Sequence, residues 1–331
     1  MTHSVESRTE LLLKAARHAR LAPSVHNTQP WRFVLVDRTL EIHSDPHRRL
    51  PVLDPTGRQL LISCGCAVFN ARVGLAAEGY QPVVERFPSP DQPNFVARIG
   101  LGELATTPPP IGVLDDSVIA RQTNRRLFAD EDVHPGLAGQ LVEAVAAEQA
   151  VLVEVPDLSR RQAVARLSQE ADRLQNADPA YRAELRAWTT DDPSRPDGVP
   201  ALAVPRVTGQ VQVDMPIRDF DTRGAGSLPP EDRSQLDRSL FVLTTPGDDP
   251  LSWLRAGEAL EHLWLEVTRQ GYVASLFTQV IEVPYLRQQL RVELELTGYP
   301  HVLIRVGKAG LTSASMRRRL ADLVVDRTGA G

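Results

Sequence analysis

The sequence has few cysteines, no long apolar run and no excess of basic residues. Its two cysteines, Cys64 and Cys66, are one residue apart, so they cannot join distant parts of the chain as a disulfide framework would. No stretch approaches the ~20 apolar residues of a membrane-spanning helix, and the apolar run at 11–13 is too short for a signal-peptide core. The formal net charge is −5, whereas nucleic-acid-binding domains usually carry a basic excess. These absences predict a cytoplasmic protein that binds neither a membrane nor a nucleic acid.

The sequence also lacks the common motifs of catalysis and of metal binding. It contains no Gly-x-Ser-x-Gly, Walker or Gly-x-Gly-x-x-Gly pattern. His43 and His47 are four residues apart, but Pro46 prevents the helix that would align them, and no Cys/His set has zinc spacing. No candidate nucleophile has an adjacent base. We therefore predict no catalytic side chain and no metal site, and the pattern favours a protein that holds a cofactor.

What is present is a globular composition with helical and strand-like patterns in both halves of the chain. Apolar residues make up 42% and charged residues 24% of the sequence. Helical spacing predicts helices at 59–78, 115–128, 137–148 and 251–270, and two more between 164 and 188. Strands are predicted at 31–36, 40–43, 82–87, 95–101, 151–155, 239–245, 272–278 and 301–306. The mixture predicts an α+β fold.

Two glycines lie inside predicted helices with the same local layout. Gly65 is followed 14 residues later by a Gly-Tyr pair at 79–80, and Gly257 by the same pair at 271–272. Because glycine inside a helix costs ~1 kcal/mol relative to alanine, we expect both to lie where two helices approach closely. The layout predicts an internal repeat, and a chance agreement of two glycines is the alternative.

The segment 22–33, Ala-Pro-Ser-Val-His-Asn-Thr-Gln-Pro-Trp-Arg-Phe, predicts a polar loop between a helix and a strand. Pro23 and Pro30 forbid a continuous helix. The hydroxyl and amide side chains between them are Ser24, Asn27, Thr28 and Gln29. A loop on rigid elements is a common position for ligand-binding residues. The alternative is an ordinary helix–strand connection, and these residues alone favour neither.

Two arginine clusters are candidates for binding an anion. Arg121 and Arg125 are four residues apart on the helix predicted at 115–128, with Thr123 between them. Guanidinium groups suit a phosphate because they donate two hydrogen bonds each and stay charged. A second cluster is the run 317–319. For either cluster alone, a solvated basic surface is the simpler interpretation.

The chain loses its regular pattern between about 189 and 238. This segment is rich in Pro, Asp, Gly and Arg and has few apolar pairs. A long stretch without secondary structure is uncommon inside a compact protein, and is usually functional or disordered. We interpret it as a lid or excursion.

Taken together, these motifs resemble those of the FMN-dependent nitroreductase superfamily. Ala22-Pro-Ser-x-x-Asn27-x-Gln29-Pro-Trp-x-Phe33 resembles its signature loop, and Arg121-x-Thr123-x-Arg125-x-x-Phe128 resembles its phosphate motif. Arg317-Arg318-x-Leu320-x-Asp322-x-Val324 resembles its C-terminal basic element. In a standard subunit the arginine motif comes first, whereas here the loop precedes it. That order is similar to the Acg family, the dormancy-associated nitroreductase-like proteins of mycobacteria and relatives.

The resemblance implies a nitroreductase-like α+β fold that is internally duplicated as a single-chain pseudo-dimer. Residues 1–105 would form the first half and residues 111–331 the second, which would include the lid at 189–238. The first half has no arginine motif of its own, so one FMN per chain is expected. The residues implied in binding it are Pro23, Ser24, Asn27 and Gln29 at the isoalloxazine, and Arg121, Thr123, Arg125, Arg317 and Arg318 at the phosphate and ribityl chain.

The resemblance implies two functions, which the sequence leaves open. The first is an NAD(P)H-dependent oxidoreductase with a small nitro or quinone acceptor and a shielded flavin. The second is a non-catalytic protein that sequesters or stores FMN in stress or dormancy. The glycine-rich approach to the flavin is here Gly271-Tyr272-Val273, which lacks the family's second glycine and favours storage. A pseudo-dimer needs no second chain, so we expect a monomer.

Overall fold

A computed structural model describes residues 5–126, 128–129, 131–192, 194–204, 218, 220, 239–310, 312 and 314–327. The helices of this part of the chain are α1 Val5–Ala19, α2 Arg58–Ala76, α3 Asp115–Ala120, α4 Pro135–Ala147, α5 Leu158–Ala177, α6 Pro179–Ala187, α7 Pro250–Arg269, α8 Gln279–Glu282 and α9 Pro284–Glu293. Its strands are β1 Trp31–Val36, β2 Thr39–Ser44, β3 Tyr80–Arg86, β4 Phe95–Leu104, β5 Val151–Glu154, β6 Thr189–Thr190, β7 Val199–Pro200, β8 Leu240–Thr245, β9 Val273–Phe277, β10 Tyr299–Gly307 and β11 Val324–Asp326.

The α+β fold and most predicted elements are confirmed. The predicted strand at 31–36 is β1, and the helices predicted at 59–78 and 251–270 are α2 and α7, each within two residues at either end. Helices α8 and α9 and strand β11 were not predicted. Most of the segment 189–238, predicted as a lid, lies outside the described residues.

The two main sheets have the same strand order. The first runs β1-β2-β4-β3, with β11 added in parallel beside β1, and the second runs β5-β8-β10-β9. Apart from β11, every neighbouring pair in both sheets is antiparallel. In each sheet, the chain passes through one long central helix between its second and third strands, α2 in the first and α7 in the second.

Helices α2 and α7 cross at the two glycines that the sequence singled out. A Cβ added to Gly65 would lie 2.1 Å from the carbonyl oxygen of Leu254, and one added to Gly257 would lie 2.0 Å from that of Ile62. The predicted close approach is therefore confirmed. The contact is also reciprocal, since each glycine faces the residue three positions before the other. Reciprocity of this kind is what a two-fold arrangement produces.

Helix α2 is the centre of the core. The expectation that no stretch approaches a membrane-spanning helix is wrong for α2, which is long and apolar enough by length and composition. Its most apolar window is 89% buried inside the protein, as in the core helix of a folded domain. Its neighbour α7 is also largely buried. The main hydrophobic cluster joins these two helices to α1 and to both main sheets. Because α1 and both main sheets pack on these two helices, the crossing fixes their relative positions.

Candidate functional site

The loop at 22–33 follows α1 and contains one short 3-10 turn, Val25–Asn27, before β1 begins. Three of its residues have positive φ: His26 at 48°, Asn27 at 54° and Gln29 at 49°. Such angles are uncommon for residues other than Gly and Asn, and they concentrate at sites where surrounding contacts impose them. The predicted helix–loop–strand arrangement is confirmed, and this concentration favours a functional loop over an ordinary connection.

Hydrogen bonds attach the loop to α2. The Val25 amide donates to Ser63 Oγ (3.2 Å), and the Gln29 amide donates to Ser24 Oγ (2.9 Å). Ser24 therefore stabilises the turn in which it lies, while Ser63 fixes that turn to the central helix.

Asn27 connects three segments that are distant in sequence. Its Nδ2 donates to the carbonyl oxygens of Gly198 (3.0 Å) and Met316 (3.1 Å). Its Oδ1 accepts a hydrogen bond from Arg317 Nη1 (3.1 Å). Asn27 therefore positions one of the predicted phosphate-binding arginines.

The prediction of a helix at 115–128 is wrong beyond Ala120. Helix α3 ends there, Arg121 has extended backbone angles (φ −60°, ψ 123°), and Thr123 forms a parallel bridge with Ala274 of β9. A partner so far along the chain leaves no trace in the local pattern. Arg121, Thr123 and Arg125 nevertheless line one pocket, because alternate residues of a strand-like segment share a side.

A cavity lies between this loop, the two central helices and β9. Its wall is mainly apolar where α2, α7 and the second sheet form it, with several polar side chains interspersed. The lining residues from these elements and from the start of α8 are Gln59, Ile62, Ser63, Cys66, Leu260, Trp264, Ser275, Leu276, Phe277, Thr278, Gln279 and Val302. This composition suits a flat, mostly apolar ring with a few polar edges.

A second, polar pocket adjoins the cavity. It is lined by Asn27, Arg121, Gln122, Val199, Ser315 and Arg317. The two spaces share the lining residues Pro23, Ser24, His26, Thr123 and Arg125. One ligand with an apolar ring at one end and an anion at the other could therefore occupy both.

Arg121 is the most deeply buried cation of the polar pocket. Its side chain is 2% exposed, its guanidinium lies 4.7 Å from the ring centre of Trp264, and its Nε lies 3.4 Å from Glu261 Oε1. That ion pair lacks hydrogen-bond geometry, and Nη1 has no partner among the described residues. Burial raises the pKa of Glu261 to about 7, although Arg121 and Arg317 act in the opposite direction.

Burial and neighbouring cations destabilise the charged forms of Arg125 and Arg317. Burial lowers the pKa of Arg125 to about 10, and Arg218 adds to the effect. Burial lowers the pKa of Arg317 to about 9, and repulsion from Arg121 contributes. Since a bound anion would offset both burial and repulsion, this end of the site favours a phosphate.

The residues fit FMN on these grounds. Buried N–H groups of Arg121 and Arg317 lack partners within the described part of the chain. An unsatisfied buried donor is costly, and phosphate oxygens would satisfy these donors. The adjoining apolar wall, with Trp264 and Cys66, has the character that an isoalloxazine ring requires.

The structure brings together seven of the nine predicted site residues: Pro23, Ser24, Asn27, Arg121, Thr123, Arg125 and Arg317. Gln29 and Arg318 are not among the described residues that line either space. Gln29 Nε2 donates to the Pro196 carbonyl oxygen (2.8 Å), and its Oε1 accepts from the Arg318 amide (2.8 Å). These two residues join the loop to the C-terminal segment, and a direct role for them at the cofactor stays a prediction.

Sequence reasoning missed His26, Trp264, Arg218 and Phe220, which all line the cavity. A signal existed for Trp264, because it follows Gly257 by seven residues and so lies on the same face of α7. His26 lies between two residues that were selected. Arg218 and Phe220 belong to the irregular segment, where no pattern distinguished them.

Comparison with known proteins identifies relatives that cover nearly the whole chain. No protein-family model matches the sequence. The Mycobacterium tuberculosis protein named "Putative NAD(P)H nitroreductase acg" is 30% identical over 304 residues, which cover 91% of this chain and 90% of the relative. A second M. tuberculosis protein with an NAD(P)H nitroreductase name is 34% identical over 311 residues (92% and 88%). An uncharacterized protein of the same organism is 32% identical over 307 residues (90% and 87%).

Two solved structures are similar to part of the chain. A nitroreductase with bound FMN from Desulfitobacterium hafniense has 12% identity and a TM-score of 0.40, covering 62% of this chain and 94% of that one. A BluB-like flavoprotein from Clostridium difficile has 12% identity and a TM-score of 0.41 (63% and 96%). The sequence relatives, which align over nine-tenths of the chain at 30% identity or more, place it in a family: the protein belongs to the Acg-like nitroreductases of the nitroreductase superfamily.

Proposed function

We propose that the protein binds one FMN per chain and acts as an NAD(P)H-dependent oxidoreductase. The observation that carries this proposal is the convergence of three arginines in a polar pocket that adjoins an apolar cavity. Two of these arginines, Arg121 and Arg317, keep buried N–H groups without partners among the described residues. When bound, the flavin would accept hydride from NAD(P)H and pass electrons to a small nitro or quinone acceptor.

The protein's own residues would bind and orient the cofactor. Arg121, Arg125 and Arg317 would hold the phosphate, and Asn27 would keep Arg317 in place. The loop with Pro23 and Ser24 would lie against the ring on one side, and the wall formed by α2 and α7 on the other. We identify no side chain that must act as an acid or a base.

The single-chain pseudo-dimer belongs to the same proposal. The matching strand order of the two sheets and the reciprocal contact at Gly65 and Gly257 support it. The spacing of 192 residues that relates these glycines also relates Cys66 to Glu258, and Arg72 to Trp264. Cys66 and Trp264 line the cavity, whereas their counterparts Glu258 and Arg72 form an ion pair of 2.8 Å. This ion pair occupies the space in which a second cavity, related by the pseudo-two-fold, would lie. One site per chain, in a monomer, follows from this proposal.

The alternative is a protein that stores FMN behind a cover, and two residues of the irregular segment favour it. Arg218 lines the cavity and donates to Glu282 Oε1 (2.6 Å) and to Thr278 Oγ1 (3.1 Å). Phe220 also lines the cavity and is 5% exposed. Both would lie over a ligand there, which is how a shielded flavin would be held.

Visible absorption of the purified protein under anaerobic conditions tests the proposal and separates the two functions. A flavin band that NADPH bleaches would support the oxidoreductase. A band that resists NADPH but is bleached by dithionite would support storage. The absence of a flavin band after incubation with FMN would overturn both.

Two further measurements test the finer statements. Flavin released by denaturation should equal protein in molar amount, and a ratio near two would contradict the single site. Limited proteolysis within 189–238 should increase the rate at which external reductant reaches the flavin. An unchanged rate would contradict shielding.

A further inference from the structure

His26 lies at the junction between the apolar cavity and the polar pocket and lines both. Its residue is 8% exposed and its φ is 48°. Neither ring nitrogen has a hydrogen-bond partner within the described part of the chain. A polar side chain that is so buried normally has a hydrogen-bond partner. For His26, a ligand could provide the missing partner.

The other buried histidines of the described residues differ from His26 in this respect. Each has a side-chain partner in the protein: His18 with Asp115 (2.7 Å), His262 with Glu148 (3.2 Å) and His301 with Thr245 (2.6 Å). Burial alone does not explain an unpaired imidazole in this fold. The exception is the histidine that faces the cavity.

The surroundings of His26 leave its nitrogens free for a ligand. Among the other junction residues, Ser24 Oγ accepts from the Gln29 amide (2.9 Å) and Arg125 Nη1 donates to the Ala203 carbonyl oxygen (3.3 Å). The Phe220 ring meets the imidazole edge-on, with centroids 5.8 Å apart. Phe220 covers this position without offering a hydrogen bond.

The protonation state selects the chemistry of the partner. Burial lowers the pKa of His26 well below its usual value, and the nearby cations Arg218 and Arg125 lower it further. The neutral imidazole has one N–H donor and one bare nitrogen acceptor. A hydroxyl group both donates and accepts, so it can pair with either ring nitrogen. A carbonyl oxygen or an ionised phosphate oxygen only accepts, so it can pair only with the N–H and leaves the other nitrogen unpaired.

We propose that His26 binds the polyhydroxyl chain of the flavin, where that chain passes from the apolar cavity to the polar pocket. This inference rests on the proposed function, because it requires a flavin with its ring in one space and its phosphate in the other. It gives the loop a role beyond contact with the ring, since one imidazole would fix the chain that joins the two ends of the cofactor.

The test compares two flavins that differ in this chain. Riboflavin carries the ribityl group without phosphate, and lumiflavin carries a methyl group in its place. We expect His26→Phe to weaken riboflavin binding about five- to tenfold, as for one or two lost hydrogen bonds, and to leave lumiflavin binding unchanged. His26→Asn should restore part of the loss, because asparagine tolerates positive φ and keeps a donor and an acceptor. His47→Asn, at an exposed histidine, is the control.

A measurement on the unmodified protein avoids any dependence on folding of the variants. With 15N-labelled histidine, the ring nitrogen signals of His26 should shift when riboflavin binds and stay in place with lumiflavin. The signals of His262 and His301, which are already paired, should not respond to either ligand.

The outcomes separate the inference from the proposed function. If the unmodified protein binds no flavin, the proposed function fails and the inference fails with it. If flavins bind but His26→Phe weakens riboflavin and lumiflavin equally, or neither, His26 does not bind the polyhydroxyl chain and only the inference is overturned.

Discussion

The two sides of the α2–α7 crossing differ in how buried charge is compensated. One side contains Arg72 and Glu258, and the other contains Cys66 and Trp264. On one side Arg72 and Arg86 meet Glu258, and Arg72 also meets Glu148. Glu258 is 0% exposed and accepts from both arginines at 2.6–2.8 Å. The two positive and two negative charges balance, and these side chains fill the space that corresponds to the cavity. We call this the closed side.

On the other side, within the part of the chain that the structure describes, the cations outnumber the carboxylates beside them. Arg121, Arg125 and Arg317 surround the polar pocket, and the buried carboxyl beside them is Glu261, with its pKa raised to about 7. Here the corresponding positions on the central helices are Cys66 and Trp264, which leave a cavity instead of filling it. The difference indicates that one side compensates its buried charges internally, whereas the other would be compensated by the anionic ligand proposed above.

The ion pairs of the closed side can be removed by replacing Glu258. Glu258→Gln leaves two partly buried arginines with one buried carboxylate, and removing one partner of a buried ion pair costs about 3–5 kcal/mol. We expect the free energy of unfolding in urea to fall by that amount. Glu266→Gln, on the same helix but in a partly exposed pair with Arg269, should change it by less than about 0.5 kcal/mol. Equal effects of the two variants would contradict the role given to the buried cluster.

The crossing that both sides share can be broken at Gly65. A Cβ there would lie 2.1 Å from a backbone oxygen, so Gly65→Ala must separate the helices. We expect a loss of about 1–3 kcal/mol or more together with weaker flavin binding. Gly139 lies in α4 with no atom within 4 Å of an added Cβ, so Gly139→Ala should instead stabilise by about 0.5–1 kcal/mol. Thermal unfolding of both variants measures the difference, and a neutral Gly65→Ala would refute the close crossing.

The open side can be tested at Arg317. Arg317→Met should weaken FMN binding about ten- to a hundredfold, because a hydrogen bond to a charged group contributes about 1.5–3 kcal/mol. Riboflavin, which has no phosphate, should lose little affinity. Arg319→Met is the matched control, since the Arg319 side chain is 83% exposed and pairs with Asp322. Fluorescence titration of the unmodified protein and both variants gives the six dissociation constants, and an equal loss for both flavins in Arg317→Met would contradict the phosphate role.

The smallest effect is expected at Glu261. Its pKa in the fold is raised to about 7, so this carboxyl is neutral below that pH. Above it the carboxyl is an anion next to Arg121, which is proposed to hold the phosphate. The phosphate itself loses its second proton at about pH 6, so the effect of Glu261 is measured against Glu261→Gln. The FMN affinity of Glu261→Gln, divided by that of the unmodified protein, should rise about threefold between pH 6 and pH 8. A quotient that does not change with pH would contradict the assignment.

Much of the architecture was predictable because its signals are local. The spacing of apolar residues identified α2 and α7, and glycine inside each helix identified where they cross. The two prolines and polar side chains identified the loop at 22–33. Three of the four predicted arginines, Arg121, Arg125 and Arg317, line one pocket, and Arg318 does not. The helix expected to carry Arg121 and Arg125 ends at Ala120.

The rest depends on partners that lie far away in sequence. Thr123 leaves the helical pattern because it pairs with Ala274. Gln29 binds the Arg318 backbone and Pro196 instead of lining the cavity. His26 is distinguished only by its two ring nitrogens, neither of which has a hydrogen-bond partner among the described residues.

The sequence by itself determined the α+β class, the long central helices, the polar loop at 22–33 and the family resemblance, since each rests on local spacing or on a contiguous motif. Only the tertiary structure decided which side of the helix crossing is open. Arg72 and Trp264 both lie on a central helix at related positions, and nothing in their neighbours along the chain distinguishes them. The distinction comes from the side chains that other segments place opposite: carboxylates next to Arg72, and arginines next to Trp264.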